Sequence, residues 1–97
     1  VSAGFRLSDR AKAEILKIYV DGIGLFGPNQ ADRYLDSLED CFSLLADNPR
    51  MGRSAAGIAP GVRRHEHGSH VILYREADGG VLILALVHGR SVRGLEL

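Results

Sequence analysis

Ninety-seven residues, 45% of them apolar, make a single folded domain and exclude a disordered tail. Twelve Lys/Arg balance twelve Asp/Glu, which excludes a non-specific nucleic-acid coat, since that needs a strong positive excess. The lone Cys41 cannot form an internal disulfide and points to a reducing cytoplasm, and no apolar run approaches the roughly 20 residues that cross a bilayer.

The opening VSAGFRLS lacks a charged leader followed by an apolar core, so no secretory signal is expected. Ala3, Phe5 and Leu7 alternate with small or charged residues and predict a short strand. Ser8 then suits an N-cap, its hydroxyl placed to accept an unpaired amide of the first helical turn. Ala11, Ile15, Ile18, Tyr19 and Ile23 recur at helical spacing and give one apolar face, weakened towards its end by Gly22, Gly24 and Gly27. Gly27-Pro28 restarts the chain, because proline at the first helical position loses no hydrogen bond.

A stronger apolar stripe follows: Ala31, Tyr34, Leu35, Leu38, Cys41, Phe42 and Leu45, opposite an acidic face of Asp32, Asp36, Glu39, Asp40 and Asp47. Asn48-Pro49 ends it, since a residue before proline is pushed out of helical geometry. So short a link predicts an antiparallel helical hairpin. Residues 50–61 read as loop. Three strands are predicted at 62–66, 69–76 and 81–88, with turns at His67-Gly68 and Asp78-Gly79-Gly80. The run Val81 to Val87 does not alternate, as expected of a strand covered on both faces or by a partner. The order β-α-α-β-β-β makes an α+β fold with the hairpin on one face of a small, mainly antiparallel sheet.

Charge is polarised along this order. Residues 1–48 carry five Lys/Arg against eight Asp/Glu, while residues 49–97 carry seven against four and all four histidines. His70, Arg75, His88 and Arg90 are suitable groups for phosphodiester cleavage, which needs a base, an acid and cations at the phosphate. The tail SVRGLEL has no tyrosine, however, and no lysine follows Lys17. His65-x-His67 puts two imidazoles on one strand face with His70 beyond the turn, but a third ligand in a partly buried shell is not evident, so no metal is expected. Arg63 and Arg64 must point to opposite faces. Tyr19, Tyr34 and Cys41 fall on the apolar stripes and are assigned to the core.

Four stretches carry a family resemblance: LSDRAKAEILKIY, FGPNQADRYLDSLEDCFSLLADNPRMGR, PGVRRHEHGSHVILYR and ILALVHGR. In this order and spacing the chain resembles the ParE branch of the RelE/ParE superfamily, the toxin halves of bacterial type II toxin–antitoxin pairs. It departs from the common ParE pattern at Ala85, where many members carry arginine, and at Ser91-Val92, where many carry Met-Asp. The resemblance implies a cytoplasmic toxin of one domain, 1–97. A cognate ParD-like antitoxin would bind it in a hetero-oligomer, and DNA gyrase would be its target. It also implies a role in plasmid stabilisation and no cofactor.

Inhibition by docking needs shape and charge rather than an activated nucleophile, so no catalytic residue is assigned. Arg63, Arg64, His70, Arg75, His88 and Arg90 are the expected target or partner contacts. Two helices cover one face of a small sheet, so apolar sheet surface around Val71–Leu73 and Val81–Val87 is expected to stay open for the antitoxin. The alternatives are a RelE-like ribosome-dependent mRNA endonuclease, with His88 and Arg90 at the phosphate, and a degenerate toxin that binds only antitoxin.

Overall fold

The computed structural model describes residues 4–97, so Ala3 of the predicted first strand lies outside the described residues. Strand β1 (Phe5–Leu7) leads into α1 (Asp9–Phe26) and α2 (Pro28–Asp47). Four strands follow: β2 (Arg53–Ser54), β3 (Arg63–His67), β4 (His70–Ala77) and β5 (Gly80–His88), then a 3-10 turn at Gly89–Ser91. They form one five-stranded sheet in the order β1-β5-β4-β3-β2. Only β1 runs parallel to its neighbour β5; the other pairs are antiparallel. The expected α+β fold is present, with β2 as an additional short edge strand inside the segment read as loop. Two residues are too few to show a period, and β2 exists because Arg53 and Ser54 pair with Arg64 and Arg63.

Local chemistry sets the helix ends. Ser8 Oγ accepts from Ala11 N–H at 3.0 Å and donates to the Leu84 carbonyl at 2.8 Å, so one hydroxyl caps α1 and fastens it to β5. Gly27 ends α1 and begins α2: its N–H donates to Ile23 O and its carbonyl accepts from Ala31 N–H. A one-residue joint between two helices needs its φ of 87°, which glycine adopts without a Cβ clash. Despite Gly22 and Gly24, α1 runs on to Phe26, and Gly22 faces Ala31 of α2, where a Cβ would sit at an ordinary contact distance of 3.5 Å.

The sheet is buried on both faces. On the helical side, Leu38, Phe42 and Leu45 of α2 and Ala11 of α1 pack on Ile72, Tyr74, Val81, Ile83 and Leu86. On the other side Val71, Leu73, Ala85 and Val87 are covered by Ala55, Ile58 and Val62 and by Val92 and Leu95. The expectation of open apolar sheet surface is therefore corrected. The loop between β2 and β3 and the chain after β5 cover it, held by Ala55 N–H to Val62 O at 2.8 Å and by Arg10 to Glu96 O at 3.0 Å.

A bulge makes this double burial possible. Leu73 pairs with Ala85 but Tyr74 pairs with Ile83, so Leu84 is the extra residue. Strict alternation would put Leu86, Leu84 and Leu82 on the helical side. The bulge shifts the phase, and Leu86, Ile83 and Val81 face the helices instead. That shift is why β5 reads as an apolar run with no period.

Tyr74, fully buried, pins the loop after α2. Its hydroxyl donates to Pro49 O at 2.9 Å and accepts from Gly52 N–H at 2.8 Å. A Cβ on Gly52 would lie 2.4 Å from that hydroxyl and 2.7 Å from Arg64 O, so the position has room only for glycine. Tyr74→Phe leaves the Pro49 and Gly52 backbone groups unpaired and should cost about 1–3 kcal/mol. Gly52→Ala, which forces displacement, should also cost about 1–3 kcal/mol. Urea unfolding midpoints measure both; a loss below about 0.5 kcal/mol in each would show that this turn is held by other contacts.

Candidate functional site

The buried stripe of α2 runs off the apolar part of the sheet at its N-terminal end. Tyr34 and Ser37 occupy that end, and beneath them the strands present imidazoles. Pairing register explains why. His67 is opposite His70, and His70 is opposite His88, so three histidines from β3, β4 and β5 form one row across the sheet. His65, opposite Ile72, shares their face. The turn residues Gly68 and Ser69 separate His67 from His70 and make the two direct neighbours.

Counting protons fixes how this row is wired. Tyr34 Oη lies 3.1 Å from the His67 carbonyl and 2.7 Å from His70 Nδ1. With the phenolic proton donated to that carbonyl, the oxygen is left to accept, and the tautomer of His70 that satisfies both contacts carries its proton on Nδ1. Ser37 Oγ likewise donates to the Tyr34 carbonyl at 2.7 Å, which leaves it to accept from His67 Nε2–H at 2.9 Å. His88 Nδ1 accepts from Arg90 N–H at 3.2 Å, so its proton sits on Nε2. The His70 and His88 rings meet edge to face with centroids 6.0 Å apart.

Burial and the neighbouring imidazoles disfavour a charge on His70 and His67. His70 lies below its ordinary pKa because of burial, then His88 and His67; His67 is lowered by burial and then His65. Burial also raises the Tyr34 hydroxyl, helped by nearby Cys41, and raises the Cys41 thiol, which fits its assignment to the core. Among the described residues, no three His, Cys, Asp or Glu side chains converge as metal ligands. His67 Nε2 and His70 Nδ1 are both engaged in the hydrogen bonds just described.

The His70–His88 part of the row lies at one end of a cavity of about 740 Å³ between the hairpin and the sheet end. Its walls include Ile15, Ile18, Tyr19, Leu25, Phe26 and Leu35, with Asp21 and Arg33 as the charged lining groups, and both His70 and His88 line it. Leu25 is 74% and Phe26 62% exposed, so the mouth is apolar. Exposed apolar surface thus lies on the hairpin rather than on the sheet. It extends to the outer side of α1 through Leu16 and Val20, 63% and 56% exposed. The nearby edge of β5 is partly closed: beyond the β1 pairing, Leu84 O accepts from Ser8 and Leu86 N–H donates to Glu14 at 3.1 Å.

The six expected contact residues divide. His70 and His88 come together, and Arg90 adjoins them in the 3-10 turn. Arg63 shares the helical face with Tyr74 but sits at the far end of β3, where it donates to Gly52 O at 2.8 Å. Arg64 and Arg75 lie on the opposite face. Arg64 pairs with Glu66, which also binds Arg53, and Arg64 Nε is buried with no partner among the described residues. Exposed pairs of this kind contribute about 0–1 kcal/mol each.

Tyr19 and Tyr34, assigned to the core from their spacing, both line the cavity. Tyr19 hydrogen-bonds Asp32, which raises its pKa, and Tyr34 bridges two histidines. Ser37 and Glu14 carried no sequence signal for their roles, because each finds its partner more than 25 residues away.

The family described as "ParE toxin of type II toxin-antitoxin system, parDE" matches residues 5–93. The chain is 33% identical over 91 residues to Toxin ParE1 of Mycobacterium tuberculosis, spanning 93% of each chain. It is 37% identical over 71 residues to Toxin ParE1 of Caulobacter vibrioides, spanning 73% of this chain and 74% of that one. Among solved structures, a chain of the "Chromosomal ParDE TA system from P. aeruginosa" shares the fold with a TM-score of 0.73 at 22% identity, over 90% of this chain and 96% of that one.

The lowered imidazoles give stability a defined pH dependence. Both bind a proton more weakly in the folded chain than near 6.5, so the unfolded chain takes up protons first as pH falls. Their contribution is complete above that value and is lost as pH falls through their folded pKa. The melting temperature should therefore drop between pH 7.5 and 5.5. In a His67→Gln/His70→Gln variant the drop should shrink; an equal drop would assign the effect to other groups.

Proposed function

The chain belongs to the ParE toxin family and is the toxin of a type II toxin–antitoxin system, and from that membership we propose that it acts by docking on DNA gyrase in the cytoplasm, without chemistry of its own. A ParD-like antitoxin neutralises it by laying an amphipathic segment into the groove between the hairpin and the sheet end. The observation that carries this reading is the groove itself: about 740 Å³, walled by apolar side chains, with Leu25 and Phe26 open at its mouth. That volume is in the range of specific binding pockets, and its surface is the kind an amphipathic helix covers. With Leu84 O and Leu86 N–H already bonded to α1 and its cap, the groove is favoured over strand addition at that edge.

The nuclease alternative has less support. His70 and His88 are suitable as a base and an acid, but a phosphodiester in transit also needs cations. Arg33 is the one arginine among the described lining residues, and Asp21 offsets it. Arg64 and Arg75 sit across the sheet. Arg64 and Arg75, which share that face, are the proposed gyrase contacts, and His70 and His88 are the proposed antitoxin contacts; Arg63, on the other face and bonded to Gly52 O, does not join the first pair, and Arg90 adjoins the second.

The purified chain should inhibit gyrase supercoiling, and the product of the adjacent reading frame should reverse the inhibition. Phe26→Asp places a charge at the groove mouth and should weaken antitoxin binding by about tenfold or more, measured by calorimetry. Cleavage of ribosome-bound mRNA with gyrase unaffected would sink the docking reading. Inactivity in both assays with antitoxin binding retained would identify a degenerate toxin.

A further inference from the structure

The polar end of the groove presents two imidazole edges of opposite hydrogen-bonding sign. With its proton on Nδ1 and donated to Tyr34, neutral His70 has its lone pair on Nε2. With Nδ1 accepting from Arg90 N–H, neutral His88 has its proton on Nε2. The two residues are paired across β4 and β5, and both line the cavity. One acceptor and one donor therefore stand together at one end of the groove.

We infer that this pair selects an uncharged side chain bearing both a donor and an acceptor, an Asn or Gln carboxamide of the antitoxin segment in the groove, and that acid releases it. The inference rests on the reading of the groove as the antitoxin site. A carboxamide donates N–H to His70 Nε2 and accepts from His88 Nε2–H, leaving neither imidazole unpaired. A carboxylate has only acceptors, so against neutral His70 it meets a lone pair. Protonation of His70 converts the pair to two donors. The hydrogen bond from the carboxamide N–H to His70 Nε2 is then lost, because that nitrogen no longer has a lone pair.

The groups around His70 work in this direction. Tyr34 on α2 holds its Nδ1–H, and His67 on β3 and His88 on β5 both disfavour a charge on it. Across the cavity stand Arg33 of α2 and Asp21 and Tyr19 of α1, and Tyr19 is tied to Asp32. Reference carboxylates titrate near 4, so a pH range of 7.5 to 5.5 isolates the imidazoles. His70→Asn keeps an N–H directed at Tyr34 and removes the titrating ring.

Two measurements decide the matter. Long-range 15N–1H spectra of the free chain at pH 7.5 should show His70 protonated on Nδ1 and His88 on Nε2; the same tautomer at both would overturn the inference. Calorimetry with the product of the adjacent reading frame should then show affinity falling about three- to tenfold from pH 7.5 to 5.5, within the limit of tenfold per unit for one proton. In His70→Asn the fall should shrink, with the remainder left to His67 and His88. Tighter binding in acid would indicate a carboxylate and overturn the inference. A slope unchanged in His70→Asn would overturn it while leaving the antitoxin groove standing. No binding by the parent chain at pH 7.5 would remove the groove assignment and this inference with it.

Discussion

The bulge at Leu84 is the constraint on which the rest of the molecule depends. Strand β5 is paired on both edges over Val81–Ile83 and covered on both faces, so its side chains must divide between two apolar layers. One extra residue lets Leu86, Ile83 and Val81 meet the helices while Ala85 and Val87 meet the loop and the C-terminal segment. The same residue supplies the carbonyl that Ser8 seizes, so the bulge also positions the start of α1. A slip of one residue would send every large side chain beyond it to the wrong layer.

Once both sheet faces are covered, the apolar surface left over has to lie on the hairpin. Helix α1 is apolar on its inner side through Ala11, Ile15 and Ile18, and on its outer side through Leu16 and Val20. A helix apolar on both sides is normally buried on both. In this chain its inner side packs on the core only as far as the sheet reaches. Past that point Leu25 and Phe26 overhang the histidine row. Groove, exposed tip and imidazoles are thus consequences of a hairpin longer than the sheet it covers.

Charge polarity in the chain survives in space, but not as one basic surface. Alternation along β3 and β4 sends Arg64 and Arg75 to one face and the histidines to the other. The arginines near Glu66 and Glu76 are largely paired with them. What gathers at the groove end is a row of imidazoles, and burial and the neighbouring rings disfavour a charge on His67 and His70. Such a site favours recognition over phosphate chemistry.

Periodicity and capping by themselves determined the two helices, the Gly27-Pro28 joint, the Ser8 cap and four of the five strands, because these depend on neighbours within a few residues. The Asp78-Gly79 turn was equally legible, and both its residues have positive φ. Family membership was legible too, from the order of four stretches along nearly the whole chain. Only tertiary structure decided the two-residue β2, the bulge and the covering of the second sheet face, since each requires pairing between distant segments. The tyrosines show the limit most clearly. Spacing placed Tyr34 on a buried stripe correctly, but what that stripe meets at its end is set by the register of β3, β4 and β5, which no local pattern encodes.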